Sequence, residues 1–120
     1  MITLHPNEIC VLLDAAGAVL WEEASASPVA LPDSRARWEA IWRHREDLAE
    51  IAHTHPSGLL AFSSTDTTTM AAIDAALGRR LAYAIVTPTA VLRRDPDGTE
   101  HSPQTEPPWV QRLRGAPWPS

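Results

Sequence analysis

His53-Thr54-His55, followed by seven residues and then Ser63-x-x-Asp66, gathers two imidazoles, a hydroxyl and a carboxylate within a short stretch of chain. On an extended strand side chains alternate between faces, so His53 and His55 point the same way, roughly 6 to 7 Å apart along the strand. Two imidazoles so placed converge on one ion. Catalytic zinc takes three protein ligands and keeps a fourth position for water, and Asp66 is the nearest carboxylate that completes a His, His, Asp set. Pro56 and Gly58 mark the end of the strand and a turn that brings Asp66 back toward the histidines. The pattern reads as a zinc hydrolase site, with one Zn2+ on His53, His55 and Asp66 and a water as the fourth ligand.

The plainer reading of Ser63 and Asp66 is a helix N-terminus, because Ser-x-x-Asp satisfies free backbone amides as a capping box does. The two readings are compatible. Beyond the cap, Asp66, Met70, Ile73 and Leu77 fall at i, i+4, i+7 and i+11, which sets the carboxylate on the core-facing stripe of that helix. A buried carboxylate without a partner costs several kcal/mol, roughly, and a divalent cation removes that penalty.

The elements that position these groups are expected in the order strand, strand, helix, strand, helix, strand, strand, tail. Residues 8–13 and 18–22 are apolar and bracket Ala15-Ala16-Gly17, a hairpin pattern in which Glu8, Cys10 and Leu12 share a face. Residues 24–33 form a loop of Ser, Ala and Pro, after which Ser34 caps a helix expected to reach about residue 50. Its apolar stripe is Trp38, Ile41, Trp42, Leu48 and Ala49, so both tryptophans are expected in the core. Residues 51–55 make the histidine strand, and Gly78 ends the second helix. Residues 81–87 and 90–94 make a second hairpin around Pro88, with Asp95-Pro96-Asp97-Gly98 as a turn. From Pro103 onward five prolines and two of the five tryptophans predict an extended tail, mobile or laid across the body, with Trp109 as its docking point.

The spaced residues resemble the signature of the JAMM/MPN+ (JAB domain) zinc metalloproteases: a distant Glu, then His-(Ser or Thr)-His, seven residues, Ser, two residues and Asp. Here the second part is His53-Thr54-His55, Pro56 through Phe62, Ser63, Ser64-Thr65 and Asp66. The segment Pro6-Asn7-Glu8-Ile9-Cys10-Val11-Leu12-Leu13 is similar to the pattern around the family's Glu. The resemblance covers about residues 6 to 95 and is of the compact prokaryotic type, with some likeness to the related RadC family through His-Thr-His-Pro-Ser-Gly. It implies an α/β fold, a single JAMM/MPN-like (cytidine-deaminase-like) domain with a mixed, curved β-sheet flanked by helices. This domain is expected over residues 1–102, with a Pro/Trp-rich tail over 103–120. It further implies that Glu8 is the general base and that Ser63 helps to stabilise the oxyanion. The implied reaction is hydrolysis of an amide or isopeptide bond after the C-terminal Gly of a ubiquitin-like or sulfur-carrier protein, by Glu-assisted attack of zinc-bound water. The alternatives are a noncatalytic MPN-type protein-binding module and a RadC-like metal-binding protein of DNA metabolism.

Composition narrows the field. At 120 residues with 44% hydrophobic side chains the chain supports one core. A net charge of −5 and a pI near 5.4 weigh against a general nucleic-acid binder, which needs a basic stripe for phosphates. Cys10 is the single cysteine, so an intrachain disulfide is excluded, and neither a secretory h-region nor a membrane-spanning run is present. A cytoplasmic protein without membrane contact is expected. Cys10 itself reads as a small buried hydrophobe. Glu22 and Glu23 are weaker candidates for the base, and His5, His44 and His101 lack ligand-spaced companions.

Overall fold

The computed structural model describes residues 8–24 and 35–114. The expected loop at 24–33, the Ser34 cap, His5 and the last residues of the tail therefore lie wholly or mostly outside the described residues. Within them a six-stranded mixed sheet carries three helices. The strands are β1 (Ile9–Asp14), β2 (Val19–Ala24), β3 (Leu48–Thr54), β4 (Ala82–Val86), β5 (Val91–Arg94) and β6 (Glu100–His101). The helices are α1 (Arg35–Arg43), α2 (Ser64–Leu77) and α3 (Pro108–Arg114). The sheet order is β2-β1-β3-β4-β5-β6, with β3 and β4 parallel and every other neighbouring pair antiparallel.

Both faces of the central strands are covered, which is why β1 and β4 read as unbroken apolar runs rather than alternating ones. Cys10, Leu12, Ile51 and Tyr83 pack with Ala40 and Ile41 of α1 and Met70 and Ile73 of α2. On the opposite face Ile9, Val11, Leu13, Ala52, Ala84 and Val86 pack with Trp109, Val110 and Leu113 of α3. The parity of β1 puts Glu8 with Cys10 and Leu12, on the α1/α2 side. That of β3 puts His53 and His55 there too, with Ile51. Cys10 stands opposite His53 across the antiparallel β1–β3 ladder, so the start of β1 and the end of β3 meet at one edge. Ile9 N–H donates to the buried Thr54 Oγ1 at 2.9 Å and pins that meeting.

The two hairpins form as expected, as do the histidine strand and the second helix. The first helix is shorter than its periodicity predicts. It stops at Arg43, a turn follows through residues 44–47, and Leu48 opens β3 opposite Asp14. Leu48 and Ile51 are apolar at helical spacing and also at positions where a buried strand wants them, and pairing with β1 and β4 decides the outcome. Arg79 secures the turn by donating to the carbonyls of Arg45 and Leu48 at 2.7 and 2.5 Å. Because the helix ends early, its inward face is Arg37, Ala40 and Ile41 with Trp38 alongside. Trp42 is 56% exposed, contrary to the expected core position, and carries the Arg45 guanidinium 4.4 Å above its ring.

The segment after Pro103 also departs from an extended tail. Pro108 opens α3, a position where its fixed φ favours the helix and its missing N–H is no loss. Trp109 docks, as its composition suggested, and two ion pairs hold the helix. Arg112 reaches both Glu22 oxygens at 2.9 and 3.3 Å, and the buried Arg114 grips Glu106 with two nitrogens while donating to Thr87 O at 2.9 Å. No helix among the described residues is long and apolar enough to cross a membrane.

Candidate metal centre

Helix α2 begins where the loop from β3 returns to the sheet. Ser63 is its N-cap: Asp66 N–H donates to Ser63 Oγ at 3.0 Å and Ser63 N–H donates to Asp66 Oδ2 at 2.9 Å, a complete capping box. The cap and the ligand reading of Asp66 hold together, because the oxygen that closes the box also faces the histidines. Asp66 Oδ2 lies 3.4 Å from His53 Nε2 and 3.5 Å from His55 Nε2, and the two Nε2 atoms are 3.0 Å apart.

The triangle's two edges to Asp66 have the length that a small tetrahedral ion requires, and the edge between the two histidines, at 3.0 Å, is shorter than that. Bonds of roughly 2.0 to 2.2 Å in tetrahedral array set ligand atoms about 3.3 to 3.6 Å from one another. The protonation pattern fits as well. His55 Nδ1 lies 2.7 Å from Leu59 O, a carbonyl that only accepts, so Nδ1 carries the hydrogen and the neutral ring presents a bare Nε2 to the cluster. Acceptors packed this closely repel unless positive charge sits among them, as protons or as a metal ion.

Glu8 is the fourth member. It is 6% exposed, and its carboxylate forms with His53 and His55 a set whose ligand atoms all lie within 4.8 Å of one another. The fold thus brings Glu8, His53, His55, Ser63 and Asp66 to one place, and the Glu8/His53/His55 cluster alone is able to hold a metal ion.

Electrostatics separate the two carboxylates. Burial raises the Glu8 pKa above the usual carboxylate value, more than the nearby His53 and His55 lower it. Burial would raise Asp66 too, but in the metal-free protein hydrogen bonds from the two imidazoles when protonated at Nε2, together with the Ser63 amide, prevail and hold it far below the ordinary range. His55 is lowered by burial and raised, on balance, by Asp66, the Leu59 carbonyl and Glu8. One carboxylate is poised to take up a proton and the other to stay charged, a division of labour that acid–base sites use.

The remaining sequence candidates fall away. The Cys10 thiol is pushed up to about 12 by burial and is inert. Glu22 is engaged with Arg112, and His101 pairs with Asp95 at 3.0 Å on the surface. One residue escaped the sequence reading. Arg37 is 8% exposed and lines the cavity of about 170 Å³ that also meets Glu8, His53, Ser63 and Asp66. Its signal was an arginine at i, i+3 and i+4 with Ala40 and Ile41, a cation on an apolar helix face.

No family model matches the chain, and no curated protein matches it. Among solved structures it is similar to the solution structure of protein DSY2949 from Desulfitobacterium hafniense, a structural genomics target. The TM-score is 0.47 at 20% identity, over 82% of this chain and 76% of that one, a likeness too slight to bear on chemistry.

Proposed function

We propose that the protein is a zinc-dependent metallopeptidase of the isopeptidase type, acting on an amide bond after the C-terminal Gly of a ubiquitin-like or sulfur-carrier protein. The observation that carries this reading is the triangle of His53 Nε2, His55 Nε2 and Asp66 Oδ2, with edges of 3.0 to 3.5 Å, standing beside the buried Glu8. Two imidazoles with one or two carboxylates suit zinc better than magnesium or calcium, which prefer all-oxygen shells.

When bound, zinc would supply Lewis acidity and bring the pKa of a coordinated water to about 7. The chain supplies the rest. His53, His55 and Asp66 would hold the ion, and the Leu59 carbonyl fixes the His55 ring. Glu8, with its raised affinity for protons, would take up a proton beside the ion and deliver it to a departing amine. Ser63 Oγ already accepts from the Asp66 amide, so its own O–H is left to donate toward a developing oxyanion. Thr65 and Thr69 add hydroxyls to the same cavity.

The closeness of Glu8 to both histidines favours a second reading, in which Glu8 is itself a ligand and the centre is a closed structural or binding site. Glu8→Gln separates the two. For the enzyme, one zinc per chain persists while cleavage of a fusion to the C-terminal Gly of a ubiquitin-like protein falls by at least about a hundredfold. A variant that retains cleavage removes Glu8 as the base, and one that sheds its zinc points to the closed site.

A further inference from the structure

The cavity beside the histidines has an exposed rim and a buried interior. Ser63 and Thr65 stand at the rim, exposed, whereas Cys10, Ile51, Met70 and Ile73 are buried and form an apolar inner wall. Tyr83 lies there too, but its hydroxyl already donates to Asp74 Oδ1 at 2.7 Å, with the Met70 carbonyl at 3.2 Å, so the ring is what it offers. Arg37 also reaches the wall and has an interaction of its own, so its charge is not at an occupant's disposal. Glu8, His53 and Asp66 of the metal centre line the same space.

Size and lining decide what fits. An apolar cavity of about 150 Å³ stays dry and holds benzene, whereas drug-sized ligands occupy roughly 300 to 1,000 Å³. At about 170 Å³ this cavity takes a single group of about six carbons. Cys10, Ile51, Met70 and Ile73 offer no strong hydrogen-bonding partner, so a charged end among them would lose its hydration without compensation. Ile73 stands on α2 seven residues beyond Asp66, about 10 Å along the helix axis, and so forms the far wall as seen from the ligands. A chain that enters past Ser63 and Thr65 ends against buried side chains. A lysine stem, which has to run out again to the protein that bears it, does not suit this shape.

We propose that the cavity is a specificity pocket for an uncharged apolar side chain of about six carbons, borne by the residue on the amine side of the scissile amide, and that Ile73 sets its depth. The proposal deepens the metallopeptidase reading and rests on it for the ion. A C-terminal Gly has no side chain, so on that reading the occupant belongs to the departing amine, and the bond cut is the α-amide of a residue whose side chain ends inside the protein.

The test is calorimetric titration of the zinc-loaded protein with straight-chain hydroxamic acids, from acetohydroxamic to decanohydroxamic acid, which share a zinc-binding head and differ only in tail length. Affinity is expected to rise about fourfold per methylene as the tail is buried, and to stop rising at a tail of about six carbons. Ile73→Phe, which fills the far end, is expected to stop the rise about two carbons sooner, and Ile73→Val, a change that packed cores tolerate, to extend it by about one, with zinc content and acetohydroxamate affinity unchanged in both. A flat dependence on tail length in the unaltered protein overturns the proposal while leaving the metal in place. So does a rise that neither Ile73 variant moves, which would put the tail on another surface, such as the exposed Leu59. A chain that takes up no zinc is recognised from its metal content beforehand and loses the metal reading and this proposal together.

Discussion

Thr54, the residue between the two histidines, does more than separate them. Its hydroxyl accepts the Ile9 amide, so it sets how closely the Glu8 end of β1 approaches the ligands. Thr54→Val keeps the shape and removes the acceptor, leaving a buried N–H without its partner; a loss of about 1 to 3 kcal/mol is expected by denaturant titration, with zinc retained and turnover reduced. Thr54→Ser should be milder. Ser63 divides into a cap and a donor in the same way. Ser63→Ala is expected to cost about 1 kcal/mol and to slow cleavage, whereas Ser63→Asp keeps the cap acceptor, lacks the O–H, and should slow cleavage at nearly unchanged stability. Acid–base behaviour of the metal-free protein follows from the shifted groups. His55 and Glu8 both sit above their ordinary values of 6.5 and 4.5, so each stabilises the fold fully below that value and ceases to do so as pH climbs through its folded pKa. Asp66, depressed, acts oppositely, but its contribution disappears only in strong acid, below the usual 3.8. The thermal midpoint of metal-free protein should therefore fall as pH rises past about 6.5, while the stabilisation added by zinc grows as protons leave the ligands. A midpoint that rises with pH in the absence of metal would contradict these assignments.

At the level of elements, α2 shows how local chemistry fixes the site. The helix is bounded by the Ser63/Asp66 box and by Gly78, whose φ of 70° lies in the left-handed region, with Gly78 N–H reaching the Ala75 carbonyl and Arg79 N–H that of Asp74. An added Cβ at Gly78 meets nothing within 4 Å, so Gly78→Ala should cost about 1 kcal/mol from backbone strain alone, read as a lowered urea midpoint at unchanged slope. Such signals are short-range, which is why the His53, His55 and Asp66 cluster was legible in the sequence. Period-two alternation aligns the rings, and a three-residue cap aims the carboxylate. The end of α1 was not legible, since Leu48 and Ile51 satisfy either periodicity and only the partners across the sheet choose. Strand β6 is two exposed residues, Glu100 and His101, with no apolar pattern to announce it. Arg37 was hidden for a related reason: its meaning depends on a cavity built from β1, β3, β4 and α2, and nothing local to α1 reports that.

On the scale of the molecule, the metal centre and the far face of the sheet are separate constructions sharing the same strands. Every side chain of the candidate centre is contributed by residues 8–66, whereas the apolar side of Ile9, Val11 and Leu13 is closed by Trp109, Val110 and Leu113. Trp109→Ala should therefore cost about 3 to 5 kcal/mol, and removal of residues 103–120 should yield a chain that aggregates or melts far below the full one by calorimetry, although no ligand has been touched. The Glu22–Arg112 pair joins positions ninety residues apart. During synthesis the histidines and both acids leave the ribosome while the third helix is still to be made, so a nascent chain owns a full set of ligand atoms on a sheet with one bare side. A centre whose side chains are all made early is thus backed by a helix, Pro108–Arg114, that is made after every one of them.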